Sequence, residues 1–81
     1  MRIRVQLFAA ARQIVGCEEL ELIVSDGATI AEIESALLAA VPALENIIVS
    51  ARWAVDAEFV DDDRQVMERA EIALIPPVSG G

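Results

Sequence analysis

The chain has 81 residues, 56% of them hydrophobic, and its 14 acidic side chains outnumber six basic ones to give a net charge of −8. A chain of this length forms one small domain around a single core. Phosphate backbones and anionic membranes repel so acidic a protein, so we expect neither nucleic acid nor a lipid surface as a partner. A basic protein surface is the natural complement. Because no apolar run is long enough to span a membrane, we expect a cytoplasmic protein.

The side-chain inventory limits the chemistry that the chain can perform. Cys17 is the single cysteine and there is no histidine. An internal disulfide, a cysteine-cluster metal site, a histidine-ligated metal and an imidazole base are therefore excluded. Glu18 and Glu19 disfavour a thiolate at Cys17, and we interpret this cysteine as a bystander. The chain is poorly equipped to be an enzyme in its own right.

The first quarter of the chain predicts a strand, a short helix and a second strand. Arg2–Phe8 alternates polar and apolar residues, which is typical of a half-buried strand. Ala9–Val15 favours a short helix through its alanines, and Gly16 stands where a left-handed residue would end it. Alternation resumes over Glu18–Val24. The two strands are expected to form a wide antiparallel hairpin.

One long helix is predicted after a turn at residues 25–28. Thr29-Ile30-Ala31-Glu32 matches a capping box, in which the threonine and the glutamate satisfy each other's backbone N–H groups. The helix should end near Pro42. Its residues follow i, i+3, i+4 spacing, with Ile30, Ile33, Ala36, Leu37 and Ala40 toward the core and Glu32, Glu34 and Ser35 toward solvent.

The second half of the chain predicts shorter elements. Residues 43–50 are ambiguous, since they fit a turn of helix around Leu44 and Glu45 followed by an irregular apolar link. Asp56-Ala57 indicates a tight turn between strands, because aspartate tolerates the left-handed region. The other predicted elements are strands over Arg52–Val55, Glu58–Val60 and Glu71–Ile75, a single helical turn over Gln65–Met67 and a chain reversal over Glu68–Ala70.

The last residues combine a stiff stop with an end that has no side chains. Pro76 and Pro77 stop the last strand, because proline has no N–H for a sheet ladder and fixes φ. Val78 and Ser79 lead to Gly80-Gly81 and its α-carboxylate. A narrow channel in a partner enzyme would require such an end, since Gly-Gly lets a bare carboxylate reach deep inside. The alternative is a frayed terminus without a role; the two prolines favour the channel.

Three stretches resemble a known family: residues 7–16 (LFAAARQIVG), residues 54–56 (AVD) and residues 73–81 (ALIPPVSGG). They resemble the small subunit of molybdopterin synthase, a ubiquitin-like sulfur carrier, and the likeness spans essentially the whole chain. The resemblance implies an α+β, β-grasp fold with a mixed five-stranded sheet and one main helix. Residues 1–81 would then form a single domain, with a protruding tail at residues 76–81.

The resemblance also implies a mechanism in which other enzymes act on the tail. An ATP-using enzyme related to ubiquitin-activating enzymes would adenylate the Gly81 carboxylate, and a sulfur donor would convert the acyl-adenylate to a thiocarboxylate. The tail would then enter the large subunit of the synthase and give sulfur to a pyranopterin precursor. We expect two copies of each subunit, no stably bound cofactor, and an apolar docking surface around Phe8, Ala54 and Leu74.

Other functions fit the same tail. The chain could carry sulfur for another pathway, such as formation of the thiamine thiazole. It could also be a ubiquitin-like modifier joined to lysines of target proteins, or an adaptor whose tail is irrelevant. The chain has no lysine, so it cannot build conjugate chains on itself.

Two turns depart from the family pattern. Asp56 stands where asparagine is usual, and both residues tolerate a turn. Arg69-Ala70 stands where Gly-Asp is usual. If that turn needs a positive φ, we expect strain at Arg69.

Overall fold

Five strands and three α-helices make up the computed structural model, which describes residues 1–77. The strands are β1 (Arg2–Leu7), β2 (Glu19–Ile23), β3 (Arg52–Val55), β4 (Glu58–Val60) and β5 (Ile72–Ile75). The helices are α1 (Ala9–Val15), α2 (Ile30–Ala40) and α3 (Glu45–Ile48), with a 3-10 helix over Pro42–Leu44 before α3. The predicted order of strands and main helices is confirmed.

The last strand in the chain occupies the centre of the sheet. The strand order is β2-β1-β5-β3-β4. β5 pairs in parallel with β1 and antiparallel with β3, and the two outer pairs are antiparallel. This mixed five-stranded sheet confirms the predicted α+β, β-grasp fold. The strand that leads into the tail is therefore held along both of its edges.

The N-terminal elements follow the predicted pattern with one shift. In β1 the side chains of Ile3, Val5 and Leu7 are buried and the alternate ones are exposed. Phe8 does not extend this strand; it is the N-cap residue of α1. Gly16 ends α1 with φ of +89° and donates its N–H to Arg12 O at 2.8 Å. The predicted left-handed stop is confirmed.

The capping box at the start of α2 is present. Thr29 Oγ1 accepts from the Glu32 backbone N–H at 3.3 Å, and Glu32 Oε1 accepts from the Thr29 backbone N–H at 3.1 Å. Ile30, Ile33 and Leu37 are fully buried. The helix ends before Pro42, as predicted.

Two side chains of α2 differ from the predicted stripe. Ala40, the last residue of the helix, is exposed rather than part of the core. Glu34 is half-buried, and its Oε1 accepts a hydrogen bond from Trp53 Nε1 at 3.0 Å. The indole needs a buried partner for its N–H, and Glu34 supplies it across the interface between α2 and β3.

Residues 65–67 form no helical turn, so that prediction is wrong. Their backbone groups bond instead to the segment that precedes α2: Val66 N–H donates to Ala28 O at 2.9 Å, and Gln65 forms an isolated bridge with Thr29. The chain reversal at residues 68–70 is confirmed, closed by Ala70 N–H to Met67 O at 3.0 Å. Arg69 has no positive φ, so the expected strain there is absent.

Aliphatic side chains fill the space between the sheet and the helices. No polar or charged residue is buried within residues 1–77. Close packing of branched aliphatic residues therefore supplies most of the stability of a chain with so few aromatic residues. Besides the residues of β1 and α2 already named, the core includes Leu22, Leu44, Ile48, Trp53, Val55, Val66, Ile72 and Leu74.

Candidate functional site

The tail leaves the folded body at the end of β5. The strand stops at Ile75, and Pro76 and Pro77 follow it. Pro76 is buried and Pro77 is exposed, so the chain passes from the interior to the surface within two residues. This confirms the predicted stop. The remaining predicted tail residues, Val78, Ser79, Gly80 and Gly81, lie outside the described residues.

The side of the sheet that α2 does not cover carries an apolar patch beside this exit. Cross-strand pairing places Ala54 between Phe59 of β4 and Ala73 of β5, and Ile75 follows two residues after Ala73. Phe8 is 45% exposed and Phe59 is 55% exposed. Together with Ala57, these five residues line a shallow groove of about 240 Å³. We call Phe8, Ala54, Phe59, Ala73 and Ile75 the open apolar face.

One residue of the predicted docking surface is on the wrong side of the sheet. Phe8 and Ala54 line the groove of the open apolar face, although Ala54 is only 7% exposed. Leu74 is 0% exposed and points into the core. Since successive strand residues point to opposite faces, burial of Leu74 sends Ala73 and Ile75 to the open side. Leu74 therefore cannot contact a partner while the fold is intact.

Sequence reasoning missed Phe59, Ala73 and Ile75. The signal for Phe59 was present: a two-residue turn at Asp56-Ala57 fixes the hairpin register, which pairs Ala54 with Phe59 on one face. For Ala73 and Ile75 there was no such signal. All four residues of β5 are apolar, so alternation could not orient the strand.

The turn between β3 and β4 is tied to the beginning of β5. Asp56 Oδ1 accepts the Glu71 backbone N–H at 3.0 Å, and Asp56 N–H donates to Glu71 O at 2.9 Å. Asp56 and Ala57 have φ of +50° and +68°, so the turn is left-handed at both central residues. The predicted turn is confirmed. We call these two hydrogen bonds the Asp56 clamp; they hold the turn against the residue that precedes β5.

Arg52 adds a positive charge to the edge of this face. Its guanidinium carbon lies 3.7 Å from the centroid of the Phe59 ring. It is opposite Ile75 in the pairing of β3 with β5. An arginine stacked in this way is held in a defined orientation next to the root of the tail.

Other chemically suggestive residues do not line the groove of the open apolar face. Cys17 is exposed in the loop before the edge strand β2, and its thiol donates a hydrogen bond to Glu19 O, with Sγ and O 3.0 Å apart. Asp61, Asp62 and Asp63 are exposed after β4. Within residues 1–77 no cluster of three or more cysteine, aspartate or glutamate side chains is arranged to hold a metal ion. No helix in this part of the chain has the length and apolar character needed to cross a membrane.

Comparison with known proteins places the chain in a family. The ThiS family matches residues 5–81. The "Molybdopterin synthase sulfur carrier subunit" of Chlamydomonas reinhardtii is 34% identical over 100% of both chains.

Two solved structures share the fold. SAMP1 from Haloferax volcanii is 27% identical over 100% of both chains, with a TM-score of 0.90. A chain in the complex of subunits 1 and 2 of molybdopterin-converting factor from Helicobacter pylori is 21% identical over 100% of both chains, with a TM-score of 0.71. With the family match and the full-length relative, these findings establish that the chain belongs to the ThiS family, together with the sulfur carrier subunits of molybdopterin synthase.

Proposed function

We propose that this chain is the sulfur carrier subunit of a molybdopterin synthase. The observation that carries the proposal is similarity along the whole length to a relative of that name. The structure supports it in one respect above all: the strand before the tail is locked in the centre of the sheet, and two prolines direct the chain outward. The body then acts as a rigid handle for residues 76–81.

The chemistry takes place on the carboxylate of Gly81, with the catalytic groups supplied by partner enzymes. That carboxylate attacks the α-phosphorus of ATP in an activating adenylyltransferase, and pyrophosphate leaves. A sulfide-equivalent donor then displaces AMP from the acyl-adenylate and leaves a thiocarboxylate. Attack by this sulfur on the pyranopterin precursor, followed by hydrolysis, transfers the sulfur and regenerates the carboxylate. ATP is used by the partner and is not held by this chain.

The open apolar face is the surface that docks on the large subunit. Exposed aromatic residues beside a functional segment mark interaction sites more often than isolated apolar residues do. Phe8, Phe59 and Ile75 line one groove, and Ile75 directly precedes Pro76, so a partner that covers this groove lies beside the root of the tail. The Helicobacter pylori complex, in which subunit 1 has this fold, supports a large-subunit partner. Each dithiolene contains two sulfurs and each tail carries one, which favours a heterotetramer with two copies of each subunit.

Net charge would govern how fast the two subunits meet. The charge of −8 on so small a body attracts a basic partner surface over long range. We expect the association rate to fall as ionic strength rises. Rates that are equal at low and high salt would contradict the steering, although apolar docking could persist.

The direct test measures dithiolene formation by thiocarboxylated protein, the large subunit and the precursor. Gly80→Val adds a β-branched side chain to a segment that must pass a narrow channel, so we expect this variant to dock normally and transfer little sulfur. Ser79→Ala, a small change in the same segment, should transfer sulfur normally. The proposal requires that the unaltered protein form the dithiolene in this assay. Its absence, together with efficient sulfur delivery to a thiazole-forming enzyme, would assign the chain to that pathway instead.

A second candidate function is protein modification. The similarity to SAMP1, whose name denotes a small archaeal modifier protein, favours it. A modifier ends in an amide bond between Gly81 and a lysine of a target, whereas a carrier returns to a free carboxylate. Mass spectrometry of the protein after incubation with the activating enzyme and cell extract separates the two. Stable conjugates that contain Gly81 in isopeptide linkage would support modification.

A further inference from the structure

Arg52 is a basic side chain at the edge of the open apolar face, next to the root of the tail. It lies opposite Ile75, the residue before Pro76, in the β3–β5 pairing. Its guanidinium stacks on Phe59 at 3.7 Å. Stacking occupies the flat side of the guanidinium and leaves its N–H edge available, because the donors lie in the plane of the group.

No carboxylate of residues 1–77 forms an ion pair with this guanidinium. Arg2 pairs with Glu21 at 3.2 Å and Arg12 pairs with Glu18 at 2.9 Å. Arg4, Arg64 and Arg69 also form no ion pair with a carboxylate of these residues, so Arg52 is distinguished by its ring contact and by its place beside the root of the tail. The arginine is exposed and held by an aromatic ring.

A partner that covers the open apolar face must also cover Arg52. Burying an unpaired charge is costly, and a planar guanidinium is matched best by a carboxylate that accepts two N–H bonds. We propose that Arg52 is the docking anchor of this chain, and that it pairs with a carboxylate on the large subunit's docking surface. This inference rests on the proposed function and specifies the chemistry of its partner.

The anchor would set orientation as well as affinity. Arg52 and Ile75 are neighbours across two paired strands, so one ion pair at Arg52 fixes the body close to the point where the tail begins. The chain as a whole carries a net charge of −8. A basic partner surface with one carboxylate opposite Arg52 complements this pattern only in one alignment, because shifted alignments bring like charges together.

The experiment titrates the large subunit of molybdopterin synthase with the full chain and three variants by calorimetry. Arg52→Gln should weaken binding about 10-fold to 100-fold, the range expected for loss of a charge-assisted pair. Arg52→Lys keeps the charge but loses the planar fork and should lose a large part of that affinity. Arg64→Gln is the matched control: Arg64 lies in the segment beside α2, where its carbonyl accepts from Ile30 N–H, and it should bind normally.

Three outcomes separate this inference from the proposed function. Binding of Arg52→Gln within about twofold of the unaltered chain would overturn the anchor, whereas the proposed function would stand. An equal loss in Arg64→Gln would also overturn it, because general charge and not position would then be responsible. Failure of the unaltered chain to bind the large subunit would overturn both.

A readout of sulfur transfer completes the test. At a saturating concentration of the large subunit, Arg52→Gln should transfer sulfur at the normal single-turnover rate, because Arg52 acts on docking and not on Gly81. Unchanged Trp53 fluorescence would verify that the variant is folded. A tenfold lower rate at saturation would refute a pure docking role.

Discussion

Replacing Glu34 with alanine is expected to lower the free energy of unfolding, because it removes the acceptor of the Trp53 indole N–H. The two atoms are 3.0 Å apart, and Trp53 is only 3% exposed. A buried donor left without a partner costs about 1–3 kcal/mol. Glu34 is half-buried, so water can replace part of the lost bond. We therefore expect a loss near the lower end, about 1–1.5 kcal/mol.

Urea unfolding followed by fluorescence measures this loss directly, since Trp53 is the only tryptophan in the chain. The loss is a substantial part of the roughly 4–12 kcal/mol expected for a protein of this length. Glu34→Gln is the control: it keeps an oxygen acceptor in the same place and should lose less than alanine does. The reasoning is refuted if Glu34→Ala unfolds within about 0.3 kcal/mol of the unaltered chain, because the bond would then contribute nothing measurable.

Three further changes test the local structure by denaturant unfolding. Ala57→Gly should stabilise the chain by roughly 0.5–1 kcal/mol, since Ala57 has φ of +68°, and a lower midpoint would contradict this. Asp56→Ala removes the oxygen that accepts the Glu71 N–H and should cost about 1 kcal/mol, whereas Asp56→Asn should be nearly neutral; equal losses in both would argue against the clamp. Thr29→Ala removes the cap of α2 and should cost about 1 kcal/mol, and no loss would show that Glu32 caps the helix alone.

Elements specified by local chemistry could be predicted from the sequence. The capping box at Thr29 and the left-handed Gly16 depend on residues within a few positions of each other, and both are present. The same holds for the turn at Asp56-Ala57. In each case the side chains that satisfy the backbone are adjacent in sequence, so no knowledge of the tertiary fold is needed.

Elements specified by distant partners could not be predicted. Residues 65–67 take an extended path because Val66 bonds to Ala28, almost forty positions away, and nothing local signals this pairing. Leu74 was misplaced for a different reason. β5 is apolar on both faces, so period-2 alternation carries no information about which side chains are buried. The tail beyond Pro77 was predicted from the two prolines and the terminal Gly-Gly together with the resemblance, and its residues lie outside the described part of the chain.

The central position of β5 links completion of folding to the presentation of the tail. β1 with β2, and β3 with β4, can each pair before the last residues are synthesised, but only β5 joins the two pairs into one sheet. This strand immediately precedes Pro76. A molecule cut within β5 loses both the join and the tail, whereas a cut after Pro77 leaves every strand pair in place. The sheet and the tail therefore both depend on the same four residues of β5. A partner that binds the open apolar face would bind only chains in which the sheet is complete.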